Sequence, residues 1–95
     1  MPYKVDIYIG SENSTRKIDK KYLEKIRSWA NRIFPNGYTI LKGKGFYNGI
    51  GEDSLVISVL LEKDPVLDSE IAHLKKELKQ ESILLAKYFV ELEVV

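Results

Sequence analysis

The run Ser54-Leu55-Val56-Ile57-Ser58-Val59-Leu60-Leu61-Glu62 is apolar in both of its phases. Leu55, Ile57, Val59 and Leu61 recur at period two, and Val56 and Leu60 fill positions between them. Such a strand belongs inside a sheet, with neighbours on both edges and cover on at least one face. The rest of the chain has to supply those neighbours.

Tyr3-Lys4-Val5-Asp6-Ile7-Tyr8-Ile9 alternates at period two and predicts a strand that Gly10 stops. Asp19 is placed to cap a helix, because its carboxylate accepts orphan backbone N–H groups. Tyr22, Leu23, Ile26, Trp29, Ala30 and Ile33 then follow helical spacing until Pro35-Asn36-Gly37 breaks it. Tyr22 and Trp29 are expected in the core. Tyr38 to Tyr47 predicts a second strand with Gly43 and Gly45 inside it, which suggests a bulge or a close backbone approach. The connection 48–53 is of hairpin type. After the apolar strand, Lys63-Asp64-Pro65 breaks the chain, Asp68 is expected to cap a second helix to about Lys79, and Ser82 to Val94 predicts a last strand.

The order β-α-β-β-α-β in 95 residues predicts one α+β domain, 1–95. The simplest assembly is a ferredoxin-like sandwich: a four-stranded antiparallel sheet with both helices on one face. The other face is then expected to carry Tyr8, Leu41 or Ile40, Val56, Leu60, Leu85 and Phe89. An apolar face of that kind implies association, and a homo-oligomer is expected.

Composition removes several function classes. There are no cysteines, so disulfides, thiolate nucleophiles and Cys-based zinc sites are excluded. His73 is the only histidine and lies off the apolar stripe of its helix, which predicts a surface residue. No Gly-x-Ser-x-Gly elbow is present, and a carboxylate pair such as Glu52 or Asp53 with Glu81 reads as loop and strand-end charge. No catalytic residue, metal or cofactor is expected. The net charge of +1 gives little support to nucleic-acid binding. The basic face of Lys20, Lys21, Lys25 and Arg27 reads as a solvated face. No apolar run approaches the roughly 20 residues of a membrane span, and no signal peptide is visible. A cytoplasmic protein without membrane partners is expected.

Two glycine-containing stretches bear on ligands. Gly43-x-Gly45 with Asn48-Gly49-x-Gly51 is not a phosphate fingerprint, because a strand rather than a helix follows it. It would nonetheless let a flat ligand approach the backbone beside Tyr47. The loop Gly10-Ser11-Glu12-Asn13-Ser14-Thr15-Arg16-Lys17 joins a strand to a helix and ends in two cations, a place that suits an anion.

Tyr8-Ile9-Gly10, Phe34-Pro35-Asn36-Gly37-Tyr38-Thr39-Ile40, Gly43-Lys44-Gly45-Phe46-Tyr47 and Leu78-Lys79-Gln80-Glu81-Ser82-Ile83 resemble a family of small uncharacterised proteins of bacteria, phages and prophages. The Phe-Pro-x-Gly-Tyr-Thr and Gln-Glu-Ser stretches are its most specific parts. Phe46-Tyr47 departs from it, where a Trp is expected. The resemblance implies a compact α+β fold and a mobile-element origin, and carries no activity. A phage-encoded oligomer that binds a small anionic ligand without turnover, such as a nucleotide immune signal in the host cytoplasm, is the leading expectation. Tyr8, Ser11, Arg16, Lys44, Tyr47, Gln80 and Ser82 are the expected ligand-binding residues. A protein-interaction module and a small dimeric ferredoxin-like enzyme are the alternatives.

Overall fold

A computed structural model describes residues 2–95. The elements are β1 (Tyr3–Gly10), α1 (Lys20–Ile33), β2 (Thr39–Tyr47), β3 (Ile50–Leu61), α2 (Asp68–Glu77) and β4 (Leu84–Phe89). They form one antiparallel sheet in the order β2-β3-β1-β4, which is the expected ferredoxin-like arrangement. The apolar strand β3 and its partner β1 are the two central strands.

The inner face of the sheet is read directly from burial. Val5, Ile7 and Ile9 of β1 and Leu55, Ile57 and Val59 of β3 are at most 3% exposed. Against them pack Tyr22, Ile26, Trp29 and Ala30 of α1 and Leu74 of α2. Asp19 caps α1 as expected, its carboxylate accepting from the Tyr22 N–H at 2.8 Å. The Trp29 indole donates to the Glu70 carbonyl at 3.0 Å and ties the two helices together. Its ring meets Phe34 edge-on at 5.8 Å.

Four expectations need correction. The β2–β3 hairpin closes on two residues, Asn48 and Gly49, both at positive φ, so β3 begins at Ile50 rather than Ser54. An Asn-Gly pair is the residue choice for that turn, because both central positions need left-handed backbone. No bulge occurs at Gly43 or Gly45; the β2–β3 register runs unbroken from Thr39↔Ser58 to Tyr47↔Ile50. Asp68 is the first residue of α2 and not its cap. Leu67 takes that place and makes no side-chain capping bond. Finally, β4 ends at Phe89, and its phase is the reverse of the expected one. Leu85 pairs with Ile7 and Phe89 with Tyr3, so both lie on the helix side. The Phe89 ring stacks at 4.8 Å on Tyr3. Leu84, Ala86 and Tyr88 therefore join Tyr8, Leu41, Val56 and Leu60 on the outer face.

That outer face also holds Asp6, which is 5% exposed. Its Oδ2 accepts from the Tyr88 hydroxyl and lies 3.4 Å from the Lys4 ammonium, while Oδ1 has no partner. Burial pushes its carboxyl up, but the Tyr88 hydrogen bond, the nearby Ser58 hydroxyl and the Lys4 charge outweigh it and hold the group below its ordinary value. A lowered value stabilises the fold above the unfolded carboxylate range, and that contribution is lost as the pH falls through the folded value. The substitution Asp6→Asn is expected to flatten the acid limb of stability against pH, read by thermal unfolding in a pH series. Trp29→Ala removes a fully packed ring and its hydrogen bond, and is expected to cost about 3–5 kcal/mol in urea unfolding.

Candidate functional site

The outer face has a relief that its register creates. Tyr8 pairs with Val56 and with Leu84, and Val56 pairs with Leu41. The row Leu84–Tyr8–Val56–Leu41 thus crosses all four strands with apolar side chains. Two residues further along, Gly10 pairs with Ser54 and Ser54 with Gly43. This second row has almost no side chain. Gly45 beside Glu52 continues it. A tall apolar row next to a bare one leaves a shallow trough, walled by side chains on one side and floored by backbone and Ser54. Adding a Cβ to Gly43 or Gly45 would meet only Ser54, at 3.7 Å, an ordinary contact. Folding does not require glycine at either position, so the openness of the floor is not explained by packing.

One end of the trough is polar. The nearest groups to a Cβ built on Gly10 are the Gln80 Oε1 at 3.5 Å and the Glu52 Oε1 at 3.6 Å. Glu52 accepts from the Ser11 hydroxyl at 3.3 Å, and the Gln80 amide donates to the Ser11 carbonyl at 2.9 Å. The Tyr22 hydroxyl donates to the Gly10 carbonyl at 2.7 Å. Burial pushes the Tyr22 phenol up to about 12, helped by the negative charges of Glu12 and Glu52. The Glu12 and Glu52 carboxylates therefore lie near the Tyr22 hydroxyl at this end of the sheet.

Of the expected ligand residues, the fold brings Tyr8, Ser11 and Gln80 together around Gly10. Tyr47 also lies on the outer face, but six residues beyond Leu41, about 20 Å along the strand, and so cannot share one small ligand with Tyr8. Arg16 and Lys44 lie elsewhere. Lys44 points to the helix side and pairs with Asp53 at 2.7 Å. That bond, with one from the Ile18 N–H, holds the Asp53 carboxyl below its ordinary value. The Arg16 carbonyl accepts from the Asp53 N–H at 3.0 Å. Ser82 lines a separate groove of about 350 Å³ between α2 and β4, with Leu67, Ile71, Ile83 and Leu85. His73 is an exposed helix residue 3.8 Å from Glu77, as expected.

The loop 11–17 is not arranged as an anion nest. The N–H groups of Glu12 and Arg16 donate to carbonyls within it, that of Lys17 to the Thr15 hydroxyl, and that of Ile18 to Asp53. The larger groove beside it, about 450 Å³, has charges of both signs on its walls: Glu12, Asp19 and Glu77 against Lys21, Lys25 and Lys79. None of the expected residues lines it. Sequence reasoning left Glu52 and Ser54 out of the site. The signal for both was the Asn48-Gly49 turn, which extends the alternation of β3 backwards through them. Among the described residues, no cluster of three metal-ligating side chains occurs, and no helix is long and apolar enough to cross a membrane.

No family model matches the chain, and no curated protein does. Solved structures do. The fold and its trough define a ferredoxin-like α+β protein with one uncovered sheet face. The chain is similar to a phage SAM lyase in complex with S-methyl-5′-thioadenosine, at 19% identity over 92% of this chain and 80% of that one, with a TM-score of 0.62. A phage SAM lyase in the apo state matches at 16% identity over 90% and 78%, TM-score 0.54. A protein of Arabidopsis thaliana matches at 15% identity over all of both chains, TM-score 0.50. At these identities the likeness is one of fold.

Tyr22→Phe removes the donor to the buried Gly10 carbonyl and is expected to destabilise by about 1–3 kcal/mol. The raised phenol adds a sign. Its contribution is complete below the ordinary tyrosine value near 10 and is lost as the pH rises towards about 12. Wild type is thus expected to lose stability over that window faster than Tyr22→Phe, as measured by denaturant titration at stepped alkaline pH.

Proposed function

We propose that this chain binds a small adenosine-type molecule carrying positive charge, such as S-adenosylmethionine, in the trough around Gly10. The observation that carries the reading is that Glu52 and Gln80 flank Gly10 at the end of the bare row Gly10–Ser54–Gly43, one row along the sheet face from Tyr8. Bare backbone flanked by Tyr8, Val56 and Leu84 suits one face of a flat ring. The Gln80 amide suits its polar edge, and Glu52 suits a cationic centre. The phage SAM lyase of similar fold, solved with S-methyl-5′-thioadenosine, supports the ligand class. The family resemblance and the two phage neighbours together support a phage or mobile-element origin.

The anionic nucleotide expected from the sequence has less support. The cations chosen for it, Arg16 and Lys44, lie away from Tyr8, and three of the loop N–H groups, with that of Ile18 just beyond it, are already spent. Binding without turnover remains the first reading, in an oligomer that covers the open side of the trough. Turnover of the same ligand is the second, favoured by the lyase neighbours and by a carboxylate, Glu52, at the polar end.

Thermal unfolding with S-adenosylmethionine, S-methyl-5′-thioadenosine, adenosine and ATP tests the proposal. A ligand at 100 times its dissociation constant is expected to add about 2.7 kcal/mol. Adenosyl compounds should stabilise the protein and ATP should not. Gly43→Val fills the floor with a residue that suits a strand, so it should abolish the shift and keep the fold. Stabilisation by ATP alone, or by none of the four, would remove the reading. Chromatography of recovered S-adenosylmethionine separates binding from turnover: unchanged ligand supports sequestration, and accumulated thioadenosine supports the lyase reading.

A further inference from the structure

Residues 90–95, Val-Glu-Leu-Glu-Val-Val, alternate at period two like a strand, yet they pair with no strand among the described residues. The β1–β4 ladder runs from Tyr8↔Leu84 to Tyr3↔Phe89, and Pro2, which has no N–H, ends it. One further bond runs from the Val90 N–H to the Pro2 carbonyl at 3.2 Å. Leu92 is 47% exposed, and Val94 and Val95 are fully exposed. Alternating apolar residues, Leu92 and Val94 among them exposed to water, are the pattern of a strand without a partner.

At the opposite side of the sheet, β2 is an edge with an unpaired row of N–H and C=O groups. It carries Lys42 and Lys44 and no acid, while residues 90–95 carry Glu91 and Glu93 and no base. Both charge pairs have i, i+2 spacing, so each lies on one face of its strand. Lys42, Glu91 and Glu93 have no ion-pair partner among the described residues.

We propose that residues 90–95 form an arm that adds as a fifth, antiparallel strand to the β2 edge of a second copy of this chain. The charges set the register. Glu93 faces Lys42 on the helix side, and Glu91 lies level with Lys44, which keeps Asp53 as its first partner. On the outer side Val94 faces Leu41, and Leu92 lies against Gly43, which has no side chain to obstruct it. Two β2 edges offer each other no such charge pair, since β2 carries lysines and no acid. The exposed surface is large for a chain of this size, as an unpacked segment requires. The chain exposes 6906 Å². A monomer of 11.0 kDa is expected to expose about 5,600 Å², so about 1,300 Å² is in excess, where a stable interface takes about 800 Å² from each partner. The inference stands on strand pairing alone and does not depend on the ligand reading.

The test is sedimentation equilibrium of the full chain, of a chain ending at Phe89, of Lys42→Glu, of Glu93→Lys and of the two substitutions together. The full chain is expected to self-associate. The shortened chain should be monomeric, each single substitution should weaken association by about tenfold, and the pair together should restore it. Circular dichroism confirms that each variant folds. The absence of cysteines allows a second readout. Facing residues of an antiparallel pair have Cα atoms about 4.5–5.5 Å apart, inside the disulfide range. Mild oxidation of a Leu41→Cys and Val94→Cys mixture should link the two chains, and neither variant alone should link to itself. A monomeric full chain, or association that survives loss of the arm, would overturn the proposal.

Discussion

The constraint on which the structure depends is the position of β1 between β3 and β4. Its inner residues Val5, Ile7 and Ile9 are no more than 1% exposed, and both of its edges are hydrogen-bonded. A strand held on two edges and one face has no freedom of register. A slip of one residue would put Lys4, Asp6 and Tyr8 into the core and Val5, Ile7 and Ile9 outside. The placement of every outer-face group follows. Tyr8 is level with Val56 and Leu84, and Gly10 with Ser54, because the inner face permits nothing else. Where β1 ends, the chain is pinned again by Tyr22, Gln80 and Glu52 on Gly10 and Ser11. These bonds join α1, the segment after α2, and β3 at one point. They keep the end of the trough in place with groups drawn from three parts of the chain.

The legible parts of the fold were those where one phase of a pattern was clearly apolar. Asp19, Ile26, Trp29 and Ala30 fixed α1, and Leu55, Ile57 and Val59 fixed the inner face of β3. The phase of β4 was not legible, since Leu84, Leu85, Ala86, Tyr88 and Phe89 are apolar in both phases. Only the pairing of Tyr3 with Phe89 and of Ile7 with Leu85 decides it, and long-range pairing leaves no local trace. The cap of α2 failed for a related reason. Asp68 has the right chemistry, but Leu67 is drawn into the core at 8% exposure, and its burial sets where the helix begins.

Part of the proposed site was legible: of the residues expected to bind a ligand, the fold gathers Tyr8, Ser11 and Gln80 near Gly10. Glu52 was missed because residues 48–53 were read as one connection, which made it a loop charge. A two-residue turn at Asn48-Gly49 places it in β3, facing Gly45. The cations Arg16 and Lys44 were assigned to a ligand, yet the chain spends its charges locally: Lys44 meets Asp53, and Asp53 in turn holds Ile18.

The outer face is not one uniform apolar surface, and this bears on how copies of the chain can meet. Leu84, Tyr8, Val56 and Leu41 make one part of it apolar. Lys4, Asp6, Ser58 and Tyr88 make another part polar, with a carboxylate at its centre. Packing that part flat against a second sheet would bury the Asp6 charge more deeply while its Oδ1 lacked a donor, at a cost of several kcal/mol. Meeting through the edge avoids the cost. An arm laid along β2 satisfies edge hydrogen bonds, pairs Lys42 with an acid and leaves Asp6 near water. In the proposed pairing Leu92 also lies beside Gly43, which would give the trough a second wall and leave the end at Gly10 open.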